Sequence, residues 1–229
     1  MAQAPSQPQH TMPNLCDLDL ETYSETPISY GAYRYAESAE ILLMAYALDD
    51  GPVQVWDKVL IEDARAYGGD GMFPVDMPTD LYAALTDEKV IICAHNANFD
   101  RVVLKRILPA LCPAIPRWRD TLARALAHGL PGSLDALGDV LHLAQDQRKL
   151  KTGRQLVQLF SKPRPKTAKL RRATQDTHPA EWQRFVEYAR QDIEALRAID
   201  KKLPVWKLPG RRTGTLAAGS AHQRPRYTS

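Results

Sequence analysis

The sequence predicts an α/β fold, and three observations carry that prediction. Apolar runs of strand character recur through the first half of the chain, at residues 15–22, 41–48 and 90–94. The third runs straight into a helical pattern, the alternation expected of α/β proteins. A long stripe of period 3.6 then runs from Trp182 to Ile199. With 229 residues and 44% hydrophobic content, the chain can bury one sizeable core.

Residues 1–13 are Gln, Pro, Ser and Ala with His10 as the one titratable side chain, and read as a disordered lead-in. The first strand follows at 15–22. Its side chains alternate faces, so Asp17, Asp19 and Glu21 point the same way. Carboxylates on one face of an apolar strand are costly to bury unpaired, and a divalent cation with oxygen ligands resolves that cost. The competing reading is a solvated edge strand with an acidic face. Ala32-Tyr33-Arg34-Tyr35 reads as a short alternating strand and 41–48 as an apolar one. The turn Asp49-Asp50-Gly51-Pro52 leads to an alternating run at 53–57, which suggests antiparallel pairing. Residues 68–78 read as a loop, and Thr79 as the cap of a short helix over 80–85.

The run 90–94 is short and wholly apolar, as in a central parallel strand. The helix after it carries Phe99, Val102, Val103 and Ile107, with Asp100 in its first turn, where the helix dipole favours an ionised carboxylate. Asp120 reads as the cap of a helix over 122–127. Ser133 reads as the cap of the next, with Leu134, Leu137, Val140 and Leu141 inward. Residues 151–160 read as a helix with Leu156, Leu159 and Phe160 buried, and 162–172 as a loop with two prolines. Pro179 suits the first position of the last helix, and Pro204 marks its end. Tyr188 and Asp192 lie four apart and share a helix face beside the apolar stripe.

Charge is unevenly spread although its sum is only +3. Residues 145–172 hold ten Lys or Arg and one acid, Asp146, and residues 203–229 hold five bases and no acid. The basic stretch reads either as a solvated face or as a surface for substrate phosphates. Cys16, Cys93 and Cys112 lack metal-ligand spacing and leave an odd count, as buried thiols in a reducing compartment would. No apolar run suits a membrane span and no secretory signal opens the chain, so no membrane partner is expected.

Four carboxylates thus stand at suggestive places: Asp19, Glu21, Asp100 and Asp192, with Tyr188 a turn before the last. Two-metal phosphoryl transfer needs such a set. Here the sequence resembles the DEDD superfamily of 3′–5′ exonucleases. Asp19-Leu20-Glu21-Thr22, Asn96-Ala97-Asn98-Phe99-Asp100 and Tyr188-Ala189-Arg190-Gln191-Asp192 match its three motifs in order, and Tyr188 in place of His marks the tyrosine-bearing branch. A closer likeness over about 15–203 is to the proofreading domain of phage- and prophage-type family A DNA polymerases. It is carried by Asp19-Leu20-Glu21-Thr22-Tyr23-Ser24, Ala94-His95-Asn96-Ala97-Asn98-Phe99-Asp100-Arg101, Gly129-Leu130-Pro131-Gly132-Ser133-Leu134-Asp135 and Phe160-Ser161-Lys162-Pro163.

The resemblance implies a ribonuclease H-like three-layer fold, a five-stranded mixed sheet flanked by helices, occupying 14–203. It implies two divalent cations, Mg²⁺ with Mn²⁺ as the alternative. Asp19 would bridge them, Glu21 and Asp192 would complete one shell, Asp100 would hold the second through water, and Tyr188 would orient the attacking water. A phenol of pKa about 10 is a poor base at neutral pH, so water acidified by an ion is the better source of hydroxide. The substrate implied is a single-stranded DNA 3′ end, releasing 5′-nucleotides, in the cytoplasm of a bacterial or phage-infected cell. RNA as substrate and an inactive nucleic-acid-binding remnant are the alternatives. Thr22, Asn96, Phe99, Lys162 and Arg164 are the candidate nucleic-acid contacts. Phe99 is expected to pack in the core, with stacking on a terminal base, by it or by Tyr23, the other reading. Asp17 is expected to support the site or lie outside it, and His95 to pack or to support it rather than act as a catalytic group. The family continues into a polymerase, whereas this sequence stops at Ser229. The basic tail 204–229 is expected to be disordered. With suitable codons, residues 216–224 read one base later give a phrase resembling the start of such a polymerase, so a frameshifted or split gene is expected, with the polymerase domain encoded separately or lost.

Overall fold

A computed structural model of the chain describes residues 13–57, 59–67, 71–144, 153–165 and 167–204. The lead-in at 1–12, the segment 145–152 and the tail at 205–229 lie outside the described residues, so the expectations placed on them do too.

The organising strand is β1 (Leu15–Ser24). Its even-numbered residues Cys16, Leu18 and Leu20 enter one core and its odd-numbered residues face the other side, as strand alternation requires. β2 (Ala39–Leu48) runs antiparallel to β1, and the short β3 (Gln54–Trp56) runs antiparallel to β2. On the other edge of β1 lie β6 (Ile91–Ala94) and β7 (Trp118–Asp120), both parallel. The order β3-β2-β1-β6-β7 makes a five-stranded mixed sheet with β1 at its centre.

Helices cover both faces. On one side α1 (Ala32–Ala36), α2 (Thr79–Thr86) and α3 (Ala97–Ile107) pack against the sheet. Leu18, Met44, Tyr46, Leu81, Ile92 and Val103 form the middle of that core. On the other side lie α6 (Gly153–Phe160) and the 24-residue α7 (Pro179–Lys202). The α7 stripe Trp182, Phe185, Ala189, Ile193 and Leu196 meets Leu43, Ala45 and Ala47 of β2. α4 (Thr121–Ala127) and α5 (Leu134–Val140) close the end of the sheet against the last turns of α7. The chain has the α/β, ribonuclease H-like three-layer fold that the resemblance implied.

Several local expectations are corrected. Ala32-Tyr33-Arg34-Tyr35 is helical in α1, not a strand: Ala32, Tyr35 and Ala36 face the core at helical spacing while Tyr33 is 69% exposed. Four residues are too few to separate the two periods. The stretch read as loop contains β5 (Met72–Val75), which pairs antiparallel with β4 (Leu60–Asp63) as a separate hairpin. Thr79 is the first residue of α2 rather than its cap; Pro78 takes the cap position and Asp80 accepts from the Leu81 N–H. In α5, Val140 is exposed, and Gly138 takes the inward place beside Leu137. Asp120 and Ser133 do cap α4 and α5.

Candidate active site

Two elements deliver the acids. β1 presents Asp19 and Glu21 on its odd-numbered face, and α7 crosses that face with Asp192 turned toward it. The ligand oxygens of Asp19, Glu21 and Asp192 all lie within 4.8 Å of one another. Glu21 and Asp192 are buried, and Asp19 is half-buried. The register of β1 on β2 shifts between Glu21 and Thr22, so Leu42 is the additional residue on the β2 side. Such bulges re-aim side chains next to active sites.

Asp100 stands beside this trio. It sits in the first turn of α3, buried, and its carboxylate accepts the Leu20 N–H at 3.2 Å. Burial, and then the charge of Asp19, push its carboxyl well above the usual carboxylate range, and the Leu20 bond opposes them. The turn that delivers Asp100 is tightly specified. Asn96 takes a left-handed conformation with φ 67°, which asparagine tolerates, and its N–H donates to Asp120 at 3.0 Å. Asp120 therefore caps α4 and pins the turn before α3 at once.

Tyr188 lies one turn before Asp192, buried at the edge of an aromatic row. Its ring stacks on Phe185 at 6.2 Å, and Phe185 stacks on Phe160 at 5.1 Å. The hydroxyl donates to Asp192. Burial raises the Tyr188 phenol furthest, followed by the charges of Asp192, Glu21 and Asp19. The group stays protonated at neutral pH and acts as a hydrogen-bond donor.

Two flanking residues hold the frame. His95 bridges β6 to the loop before α5, with Nε2 2.8 Å from the Gly132 carbonyl and Nδ1 2.9 Å from Thr121 Oγ1. Asp17 lies outside the trio. It is buried and 3.7 Å from Arg197, while Arg197 also donates to the Gly51 and Asp49 carbonyls. That pair ties β1 to α7 beyond the acids.

Two cavities meet at the acids. A cleft of about 770 Å³ has Asp19 and Asp192 in its lining, with Asn96, Ser133 and Arg154 among the other residues. A second cavity of about 580 Å³ opens beside Glu21 and is bordered by Thr22, Tyr35, Phe99, Val157 and Lys162. Thr22, Phe99 and Lys162 thus come together around one cavity, and Asn96 borders the other. Arg164 borders neither; its N–H donates to the Arg171 carbonyl in the loop. Tyr23 is buried beneath the Arg172 guanidinium, which stands 4.2 Å from the ring centre. Sequence reasoning missed Tyr35, whose hydroxyl meets Thr22 Oγ1 at 2.8 Å and whose ring is 5.4 Å from Phe99. The strand reading of 32–35 concealed it. It also missed Arg154 and Gly153, which only the packing of α6 brings to the site.

No family model matches the chain. Over 193 residues it is 37% identical to a DNA polymerase of Bacillus phage SP02, a match covering 81% of this chain and 27% of that protein. The chain therefore spans about a quarter of the length of that relative. Among solved structures, the Aedes aegypti Nibbler EXO domain aligns over 84% of this chain and 87% of that one at 14% identity, with a TM-score of 0.38, too distant to bear on the site. With a phage polymerase as a relative over most of its length, the chain is related to part of a DNA polymerase.

Proposed function

We propose that this domain removes nucleoside 5′-monophosphates from the 3′ end of single-stranded DNA, as the proofreading activity of a DNA polymerase. The convergence of Asp19, Glu21 and Asp192 carries the reading. Carboxylates whose ligand oxygens lie within 4.8 Å repel one another unless cations or protons join them. Their oxygens are the hard donors that Mg²⁺ and Mn²⁺ take, and Asp100 beside Asp19 extends the set, so these residues fit divalent ions. Two such ions, when bound, would stabilise both the attacking and the leaving oxygen of an in-line displacement at phosphorus.

The remaining work falls to the chain's own groups. Tyr188, protonated and fixed by its aromatic row, orients the attacking water rather than deprotonating it. The cavity beside Glu21 takes the terminal nucleoside, with Phe99 and Tyr35 as its aromatic wall and Thr22 and Lys162 as its polar edge. Water oxygen bonds to phosphorus, the bond to the 3′ oxygen of the preceding nucleotide breaks, and a 5′-monophosphate leaves behind a new 3′-hydroxyl. The relative's name favours DNA as the substrate. Its name and greater length favour a polymerase domain as the partner, and its phage source favours a bacterial or phage-infected cytoplasm as the setting. Among the described residues no helix is long and apolar enough to cross a membrane.

The test is digestion of 5′-labelled single-stranded DNA and RNA of equal sequence with Mg²⁺ or Mn²⁺, beside an Asp192→Ala control. A metal-dependent ladder shortening from the 3′ end, absent in the control, is expected, with DNA the faster substrate. RNA cut faster would reassign the substrate. Intact strands throughout would leave a binding remnant.

A further inference from the structure

The 770 Å³ cleft is lined by three carboxylates, Asp19, Asp135 and Asp192, and by one Lys or Arg among the described residues, Arg154. Arg154 is exposed in the first turn of α6 and has no ion-pair partner among the described residues. It stands in the same cleft as two of the candidate metal ligands and does not pair with them. Lys162 occupies the matching place in the cavity on the Glu21 side. Among the described residues, one cation therefore lines the cavity on either side of the acids.

We propose that Arg154 binds a backbone phosphate of the retained strand, the one on the 5′ side of the scissile phosphate. The inference rests on the exonuclease reading for the direction of the strand. A nucleic acid lying across the acids has its terminal nucleoside in the Glu21 cavity. Its remaining phosphates must then leave through the acidic cleft. Cations on the acid trio offset the floor of that cleft, but its wall still needs a positive group for a polyanion to pass. Arg154 supplies a planar fork of donors that suits a phosphate better than a point charge does. Its place in α6 holds it there: Gly153 packs on Tyr188, and Leu156 and Phe160 are buried below.

The test compares wild type, Arg154→Ala and Arg154→Lys in two assays. The first is binding of a fluorescein-labelled single-stranded 12-mer with a hydrolysis-resistant phosphorothioate backbone, followed by anisotropy over a range of salt. Arg154→Ala should weaken binding about tenfold, as loss of a charge-assisted contact does, and flatten the plot of log affinity against log salt by about 0.7. Arg154→Lys should restore the slope and only part of the affinity. The second assay is hydrolysis of the p-nitrophenyl ester of thymidine 5′-monophosphate, which carries a scissile phosphate and no other. There Arg154→Ala should match wild type, while on an ordinary 12-mer its KM should rise and its kcat hold. An unchanged affinity and slope would overturn the proposal, as would an equal loss on the ester and the 12-mer, which would put Arg154 at the scissile phosphate. If wild type binds the 12-mer with the expected slope difference yet hydrolyses nothing, the exonuclease reading falls and the Arg154 contact stands. Failure of wild type to bind overturns both.

Discussion

The ring of Tyr188 packs directly on the backbone of Gly153. A Cβ placed on Gly153 would stand 1.9 Å from Tyr188 Cε2 and 2.7 Å from Cζ, closer than any side chain allows. The ring cannot simply retreat, because Phe185 stacks on it and Phe160 on Phe185. Glycine at 153 is therefore what lets α6 close onto the aromatic row, and the Tyr188 hydroxyl inherits its position beside Asp192 from that closure.

Gly153→Ala should consequently damage the site more than the fold. Overpacking a filled core costs about 1–3 kcal/mol, so the melting temperature should fall by several degrees while the protein stays folded. Turnover of single-stranded DNA should fall at least as far as in Tyr188→Phe, which keeps the ring and removes the hydroxyl. A Gly153→Ala variant of wild-type activity would show that the position of Tyr188 does not matter to the chemistry.

The acid trio predicts how stability responds to metal. Asp19, Glu21 and Asp192 repel one another when ionised and metal-free, and an ion that binds only the folded state stabilises it by mass action. Mg²⁺ at about 100 times its dissociation constant should add roughly 2.7 kcal/mol, seen as a rise in melting temperature over the chelated protein. Asp192→Asn removes one charge from the cluster. It should raise the melting temperature of the chelated protein and shrink the rise on adding Mg²⁺. An equal rise in wild type and variant would place the ion elsewhere.

The residues that could be read from sequence are those whose roles follow a local period. Asp19 and Glu21 share a strand face, Tyr188 and Asp192 share a helix face, and Asp100 follows a strand end. Each relation spans at most six residues, so the spacing of the motifs carries it. Asp120 and Ser133 were legible as caps for the same reason. What was not legible depends on distant contacts. α1 looks alternating over four residues and becomes helical because Tyr35 and Ala36 pack against the sheet and α3. β7 is three residues long and gains its identity from β6. Gly153 and Arg154 belong to a helix with no motif, and only its docking against α7 makes them neighbours of Tyr188 and Asp192.

The thiols predict a pH response. Burial, helped by nearby acids, raises Cys16 and Cys93 far above the ordinary range, and burial raises the half-buried Cys112 as well. Folded Cys16 and Cys93 stay neutral where an unfolded thiol, of pKa about 8.5, ionises. Their contribution to stability is thus complete below that value and is lost as pH rises above it. Urea unfolding should show stability dropping between pH 8 and pH 10, with a shallower drop in Cys93→Ala. Iodoacetamide at pH 8 should label Cys112 alone, slowly, in the native protein and all three cysteines in urea. Fast native labelling of Cys16 or Cys93 would contradict the buried placement.

Arg117 predicts a purely structural loss. Its guanidinium is buried and donates to three carbonyls: Val90 at 2.8 Å and Leu85 and Ala84 at 2.7 Å. Two of these acceptors end α2, where helix carbonyls lack internal partners, and the third immediately precedes the strand that leads to Asp100. Arg117→Met leaves all three carbonyls without the charged donor, so the urea midpoint should fall by the equivalent of about 2–4 kcal/mol. Arg117→Lys should recover only part of that, because a single ammonium cannot reproduce a fork with fixed donor directions. Below the unfolding transition, kcat per folded molecule should hold in both variants, since the residue touches none of the acids. A midpoint unchanged in Arg117→Met would mean that water replaces the guanidinium at no cost.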